Sequence, residues 1–174
     1  MAIEIERKFL VRDDRWRRAA RAATELRQGY LANTERSSVR VRIAGERAWL
    51  SVKAMERGPA RREYEYEVPA ADAADMMAAL VTGAQVTKRR HRVPVGAHCF
   101  EVDEFQDENS GLVIAEIELA SADESFPRPD WLGDEVTDDP RFYNFRLADQ
   151  PFRGWSESCR RAALNGSLAQ DGTR

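Results

Sequence analysis

IEIERKFLV, residues 3–11, places charge at Glu4, Glu6 and Lys8 and apolar side chains at Ile3, Ile5 and Phe9. Successive side chains of a strand point to opposite faces, so the three charges share one face and the three apolar groups the other. A half-solvated antiparallel strand would show the same alternation. The alternative is a strand whose charged face is itself a working surface, and the rest of the chain decides between them.

The pattern recurs. Strands are predicted at Gly29 to Ala32, Ser37 to Ile43, Ala48 to Met55, Glu63 to Val68, VTKRRHRV (86–93), HCFEVDEF (98–105) and LVIAEIEL (112–119), about eight with the first. Ala44 to Glu46 reads as a hairpin turn, and Pro69 stops the strand before it. Arg40 and Arg42 oppose Val39, Val41 and Ile43, and Ser51 and Lys53 oppose Leu50 and Val52. Glu63, Glu65 and Glu67 share a face, as do Lys88, Arg90 and Arg92. Glu101 and Asp103 form another such group, and Glu116 and Glu118 oppose Ala115, Ile117 and Leu119.

Each strand carries mostly one sign of charge. Same-sign neighbours on one strand face repel, so a merely solvated surface would mix signs and dilute them with Ser, Thr and Gln. Blocks of acid and base suit a ligand that needs both, such as a polyvalent anion with bound divalent metal. Mg2+ or Mn2+ takes carboxylate oxygens and phosphate oxygens take Arg and Lys.

The expected fold is α+β, mostly β: a closed eight-stranded antiparallel barrel, charged side inward, with helices packed outside. Burying so many charges without partners would be prohibitive, so the interior must be hydrated, internally paired or filled by ion and substrate. A short helix is expected over residues 71–81, and the Ala- and Arg-rich residues 13–28 read as a helix or helical loop capped by Asp13 or Asp14. After Ala120, Pro127, Pro129 and Pro140 punctuate a loop with short helices that packs on the sheet through Trp131, Phe142 and Tyr143. The domain is expected to span residues 1–152, with 153–174 a partly disordered extension.

The totals agree with one soluble domain. The 174 residues are 43% hydrophobic and 33% charged, the latter above the usual quarter. Twenty-seven basic and 30 acidic residues give a net charge of −3, which argues against a broadly basic nucleic-acid binder. Cys99 and Cys159 form no CxxC spacing, pointing to a reducing compartment. No signal-peptide pattern and no apolar run near the roughly 18 residues of a membrane span is present, so a cytoplasmic protein is expected.

At this point the residues resemble a known family, the CYTH superfamily of triphosphate tunnel metalloenzymes, in its short stand-alone bacterial members. Its ExExK signature matches Glu4, Glu6 and Lys8, and QGYL, VRVRI, LSVKA, EYEYEVP, KRRHRV, FEVDEF, AEIEL and EVTDDPRFYN follow in the family's order over Met1 to Phe152. The resemblance implies metal-dependent hydrolysis of a linear triphosphate, inorganic tripolyphosphate first, giving pyrophosphate and phosphate.

It implies a metal side made of Glu4, Glu6, Glu63, Glu65, Asp103, Glu116 and Glu118. Phosphates would be held by Lys8, Arg40, Arg42, Lys53, Lys88 and Arg90. Lys8 and Tyr30 would form a catalytic pair, with Lys8 lowering the phenol pKa so that Tyr30 helps to orient or deprotonate water. The implied cofactor is Mg2+ or Mn2+ and the implied partner is tripolyphosphate or another triphosphate. Nucleic acid and membrane are not expected, and a homodimer is compatible.

Within the family, thiamine or nucleoside triphosphate hydrolysis and class IV-type adenylyl cyclisation remain alternatives; outside it, a non-catalytic polyphosphate-binding module. His91 stands where the family often has Tyr or Phe, and alternation points it outward. Glu67, Arg92 and Glu101 share inward faces but match the motif less well. His98 and Cys99 sit near a turn, away from any metal role, because a hard oxygen-ligated cation is expected.

Overall fold

The computed structural model describes residues 2–55, 60–81 and 83–168. Among them nine strands and three α-helices make a mostly-β α+β fold. The strands are β1 (Ala2–Val11), β2 (Thr24–Asn33), β3 (Ser37–Ala44), β4 (Arg47–Ala54), β5 (Ala60–Val68), β6 (Val86–Val95), β7 (His98–Phe105), β8 (Val113–Glu118) and β9 (Leu132–Glu135). The helices are α1 (Ala70–Ala79), α2 (Asn144–Asp149) and α3 (Glu157–Leu164).

All pairings are antiparallel, in the order β5-β4-β3-β2-β6-β7-β8-β1-β9. β1 also pairs with β5, Ala2 opposite Glu63 through Ile5 opposite Ala60. Phe9 is paired on one edge with Ala115 of β8 and on the other with Glu135 of β9, so β9 continues the edge that β5 leaves.

The registers explain why one-signed strands are tolerated. Acidic β5 lies beside basic β4, with Lys53 opposite Glu63; basic β6 lies beside acidic β7, with Arg90 opposite Asp103; and Lys8 of β1 faces Glu116 of β8. Like charges two apart on a strand repel, but opposite charges across the ladder attract.

The sequence reading needs two corrections here. Residues 13–28 are not one helix: a 3-10 turn spans Asp14–Arg18, the Arg15 N–H capped by Asp13, and β2 begins at Thr24. Leu26 and Gln28 are buried and Arg27 is exposed, a strand alternation that outweighs the Ala and Arg content. The second correction is β9, a ninth strand within the stretch read as loop.

α1 follows Pro69 and covers the outer face of β3 and β4, packing Ala73 and Met77 on Val41 and Ala48. It lies close to β2: a side chain at Gly29 would come within 2.5 Å of Val81 Cγ2. A larger outer cluster joins Phe9, Trp16, Phe100, Ile117, Trp131 and Leu132.

The third cluster is unlike either. Leu10, Val86, Phe105 and Ile114 share strand parity with Lys8, Lys88, Asp103 and Glu116, so the inward face turns from charged to apolar one step further along four strands. Val136, Phe142, Leu147, Phe152 and Ala163 pack against them. The C-terminal segment therefore seals one end of the interior; Trp131 packs outside as expected, whereas Phe142 packs at the sealed end. Residues 162–168, read as the start of a frayed tail, are docked there too. Gly166 O accepts the Asp134 N–H at 2.9 Å, and its carbonyl lies so close that a Cβ on Gly133 would meet it at 2.4 Å. The rest of that tail, residues 169–174, lies outside the described residues, as do 56–59 of the Gly-Pro loop.

Candidate active site

The inward faces surround a cavity of about 540 Å3. Its lining holds eight carboxylates (Glu4, Glu6, Glu63, Glu65, Glu101, Glu116, Glu118, Glu124) and seven bases (Lys8, Arg40, Arg42, Lys53, Lys88, Arg90, Arg92). Near-balance at this density suits a ligand of mixed charge better than a bare anion or a bare cation.

Depth divides the groups. Lys88 is 1% and Asp103 0% exposed, against the exposed Glu118 at the opposite end of the interior from the apolar seal. On the floor, Lys8 Nζ is bound by Glu6 and Glu116, and Lys88 Nζ by Asp103. Arg90 donates from Nε to Asp103 at 2.7 Å and from Nη2 to Glu116 at 2.6 Å. Burial disfavours charge on Lys8 and Glu116, but the opposite charges around each together outweigh it: Glu116 and Glu6 raise the Lys8 pKa, and Lys8, Lys88 and Arg90 hold that of Glu116 well below the carboxylate range. On Lys88 burial prevails and lowers the pKa, although Asp103 opposes it.

A second group sits on β3, β4 and β5. Lys53 Nζ is shared by Glu4 at 2.6 Å and Glu63 at 3.0 Å, and Arg42 donates to both oxygens of Glu65 at 3.0 Å. Ser51 Oγ donates to Glu65 at 2.7 Å. Two buried donors of this group, Arg40 Nε and Arg42 Nε, have no hydrogen-bond partner. The Arg42 pKa is lowered by burial and then by the neighbouring Arg40, so an incoming anion would relieve both groups.

The carboxylates are hard oxygen donors of the kind Mg2+ or Mn2+ takes, and they come in pairs around an ammonium: Glu4 with Glu63, and Glu6 with Glu116. The Glu4 pKa is raised by burial, with Glu63 adding to it, the strain a divalent cation would remove. Among the described residues no three Asp, Glu, His or Cys side chains converge on one point ready for an ion.

All fourteen predicted site residues except Asp103 and Tyr30 line this cavity. Asp103 lies beneath the floor, tied to Lys88 and Arg90, where its oxygens are already engaged. Tyr30 borders a smaller adjoining pocket with Glu6, Lys8 and Arg40. Its phenol is not activated: burial pushes it up to about 12, outweighing the lowering by Arg40 and Lys8, so the expected depressed pKa is reversed. Arg92 and Glu101 line the cavity, Glu101 on Arg90; Glu67 pairs with Arg47 in solvent. His91 points outward, stacked edge-on against Trp16 and bonded to Glu104. His98 and Cys99 reach the cavity lining, His98 with Glu124 at 2.8 Å.

Sequence reasoning missed Gln28, Asn144 and Thr137. The first two line the cavity. Gln28 was hidden by the helical reading of residues 13–28, although its parity with Tyr30 marked the face. Thr137 acts on the backbone: Lys8 lies between the stretches of β1 paired with β5 and β9, and its N–H donates to Thr137 Oγ1 at 3.1 Å while its carbonyl accepts from Val136 N at 2.8 Å. Thr137 Oγ1 in turn donates to Glu135 at 2.7 Å. Thr137→Val leaves the Lys8 N–H without an acceptor, an expected loss of about 1–3 kcal/mol. A lower melting temperature that Thr137→Ser restores would check this; equal melting of the two variants would refute it.

An antiparallel sheet whose inward face lines a cavity with paired acids and bases defines a class of proteins built around a charged, strand-lined site. Within it, the family model described as the CYTH domain matches residues 2–143, and the chain belongs to that family. It is 41% identical over 157 residues to the inorganic triphosphatase of Acetivibrio thermocellus, covering 90% of this chain and all of that one. It is 37% identical over 150 residues to the inorganic triphosphatase of Nitrosomonas europaea, covering 83% and 96%. The crystal structure of the inorganic triphosphatase NE1496 superposes with a TM-score of 0.60 at 33% identity, covering 85% of this chain and 95% of that one.

Proposed function

We propose that this chain hydrolyses linear inorganic tripolyphosphate to pyrophosphate and orthophosphate with Mg2+ or Mn2+. The observation that carries the reading is the cavity itself, where Arg40 and Arg42 keep unpaired buried donors beside paired carboxylates. The likeness to two inorganic triphosphatases supports the choice of substrate. On this reading eight strands form a closed tunnel, which the β1–β5 pairing supports. Residues 1–152 carry the activity, and the packing of 153–168 seals its end. No helix among the described residues is long and apolar enough to cross a membrane, and a cytoplasmic location is part of the proposal.

Arg40, Arg42, Lys53, Lys88, Arg90 and Lys8 hold the phosphate oxygens and stabilise charge as the terminal bridge breaks. Glu4, Glu6, Glu63, Glu65, Glu116 and Glu118 would hold the divalent ions, which polarise the phosphates and lower the pKa of bound water. Because each carboxylate pair surrounds an ammonium, metal and triphosphate bound together would let these residues exchange partners, the carboxylates holding the cation and the lysines the phosphate. Asp103 keeps Lys88 and Arg90 in place.

Phosphate release and cyclic AMP formation from tripolyphosphate, ATP and thiamine triphosphate, each with Mg2+ or Mn2+, test the proposal. Tripolyphosphate turnover is expected to be fastest, to fall by more than about 100-fold on chelation and to return with added metal. No turnover of tripolyphosphate with either ion would refute it; cyclic AMP from ATP in its place would make the chain a cyclase.

A further inference from the structure

Gln28 is the group the proposed chemistry leaves unused, and its role rests on the hydrolytic reading above. It stands on the inward face of β2 between Leu26 and Tyr30, fully buried, and lines the cavity. Nε2 donates to the Tyr30 hydroxyl at 3.4 Å, whereas Oε1 has no hydrogen-bond partner. An orphaned buried amide oxygen is destabilising. Such a cost is tolerated where the missing donor arrives with a ligand.

The identity of that donor follows from the surroundings. Lys8 is held by Glu6 and Glu116 and Lys88 by Asp103, and on the hydrolytic reading the lysines that metal entry frees turn to phosphate oxygens, as do the open Nε donors of Arg40 and Arg42. Tripolyphosphate offers mainly acceptor oxygens, which an amide oxygen repels. Water is the donor that remains.

We infer that Gln28 holds the attacking water, its Oε1 accepting one water hydrogen so that a lone pair points at the terminal phosphorus. The water oxygen–phosphorus bond forms as the bridging phosphorus–oxygen bond breaks, and that electron pair leaves on pyrophosphate. One water proton stays on orthophosphate and the other passes to solvent. Gln28 takes no proton; it restricts direction, which is worth most in the transition state. Tyr30 keeps its proton and anchors the amide.

Full-length Gln28→Met and Gln28→Glu, assayed with tripolyphosphate and Mg2+, test this. Gln28→Met is expected to lose at least about 100-fold in kcat with KM within about threefold, because the lost contact exists only with the reacting water. Gln28→Glu keeps an acceptor oxygen and is expected to hold at least about tenfold more kcat than the Met variant. If Gln28→Met folds too poorly to assay, Gln28→Asn retracts the oxygen and is expected to show the same loss in kcat at unchanged KM. Near-normal kcat in Gln28→Met, a loss confined to KM, or equal loss in the Met and Glu variants would overturn the assignment. An inactive parent protein would instead overturn the hydrolytic reading itself.

Discussion

Glu4→Gln is expected to lose about 10²–10³-fold in metal-dependent phosphate release while its melting temperature without metal stays within about 2–4 °C of the parent. Two geometric facts separate activity from stability here. Lys53 loses its 2.6 Å partner but keeps Glu63 at 3.0 Å, so no buried ammonium is left bare. Glu63, for its part, is relieved of a like-charged neighbour. What disappears is half of a carboxylate pair that would hold a divalent ion. Turnover across a range of Mg2+ concentrations, beside thermal melts in chelator, measures both quantities. Full activity in Glu4→Gln would remove this residue from the metal side.

Asp103→Asn should behave in the opposite way, losing about 3–5 kcal/mol of stability, or roughly 10 °C in melting temperature, before any metal is added. Asp103 is completely buried and neutralises Lys88 and Arg90, both of which lie deep in the floor. Removing one partner of a buried pair leaves an uncompensated charge, which costs more than the pair contributed. The family resemblance set this residue among the metal carboxylates, and the melt separates the two roles. A metal ligand would leave the metal-free melt unchanged and blunt its response to Mg2+. A strut lowers the metal-free melt, and an unchanged metal-free melt in Asp103→Asn would restore the ligand reading.

Much of the site was legible because a period of two is hard to counterfeit. Glu4, Glu6, Lys8, Arg40, Arg42, Lys53, Glu63 and Glu65 reach one cavity as their alternation required, and His91 is outside for the same reason. Alternation assigns a face but not a depth. It could not tell that Asp103 lies under the floor while Glu118 stands exposed, nor that burial would outweigh two cations at Tyr30. Composition misled where it was given precedence over parity: the Ala and Arg content of residues 13–28 concealed the first half of β2, and with it Gln28. β9 was missed because four residues, Leu132–Glu135, carry too short a pattern to be read beside the prolines that precede them.

The switch from Lys8 to Leu10, Lys88 to Val86, Asp103 to Phe105 and Glu116 to Ile114 was present in the sequence and went unread. Its consequence reaches past stability. On the proposed hydrolytic reading, a charged well with an oily base gives a phosphate chain no way through, so a polymer is expected to enter end first. Phosphate release is then expected from the termini of long polyphosphate and not from a cyclic phosphate, which has no end to offer.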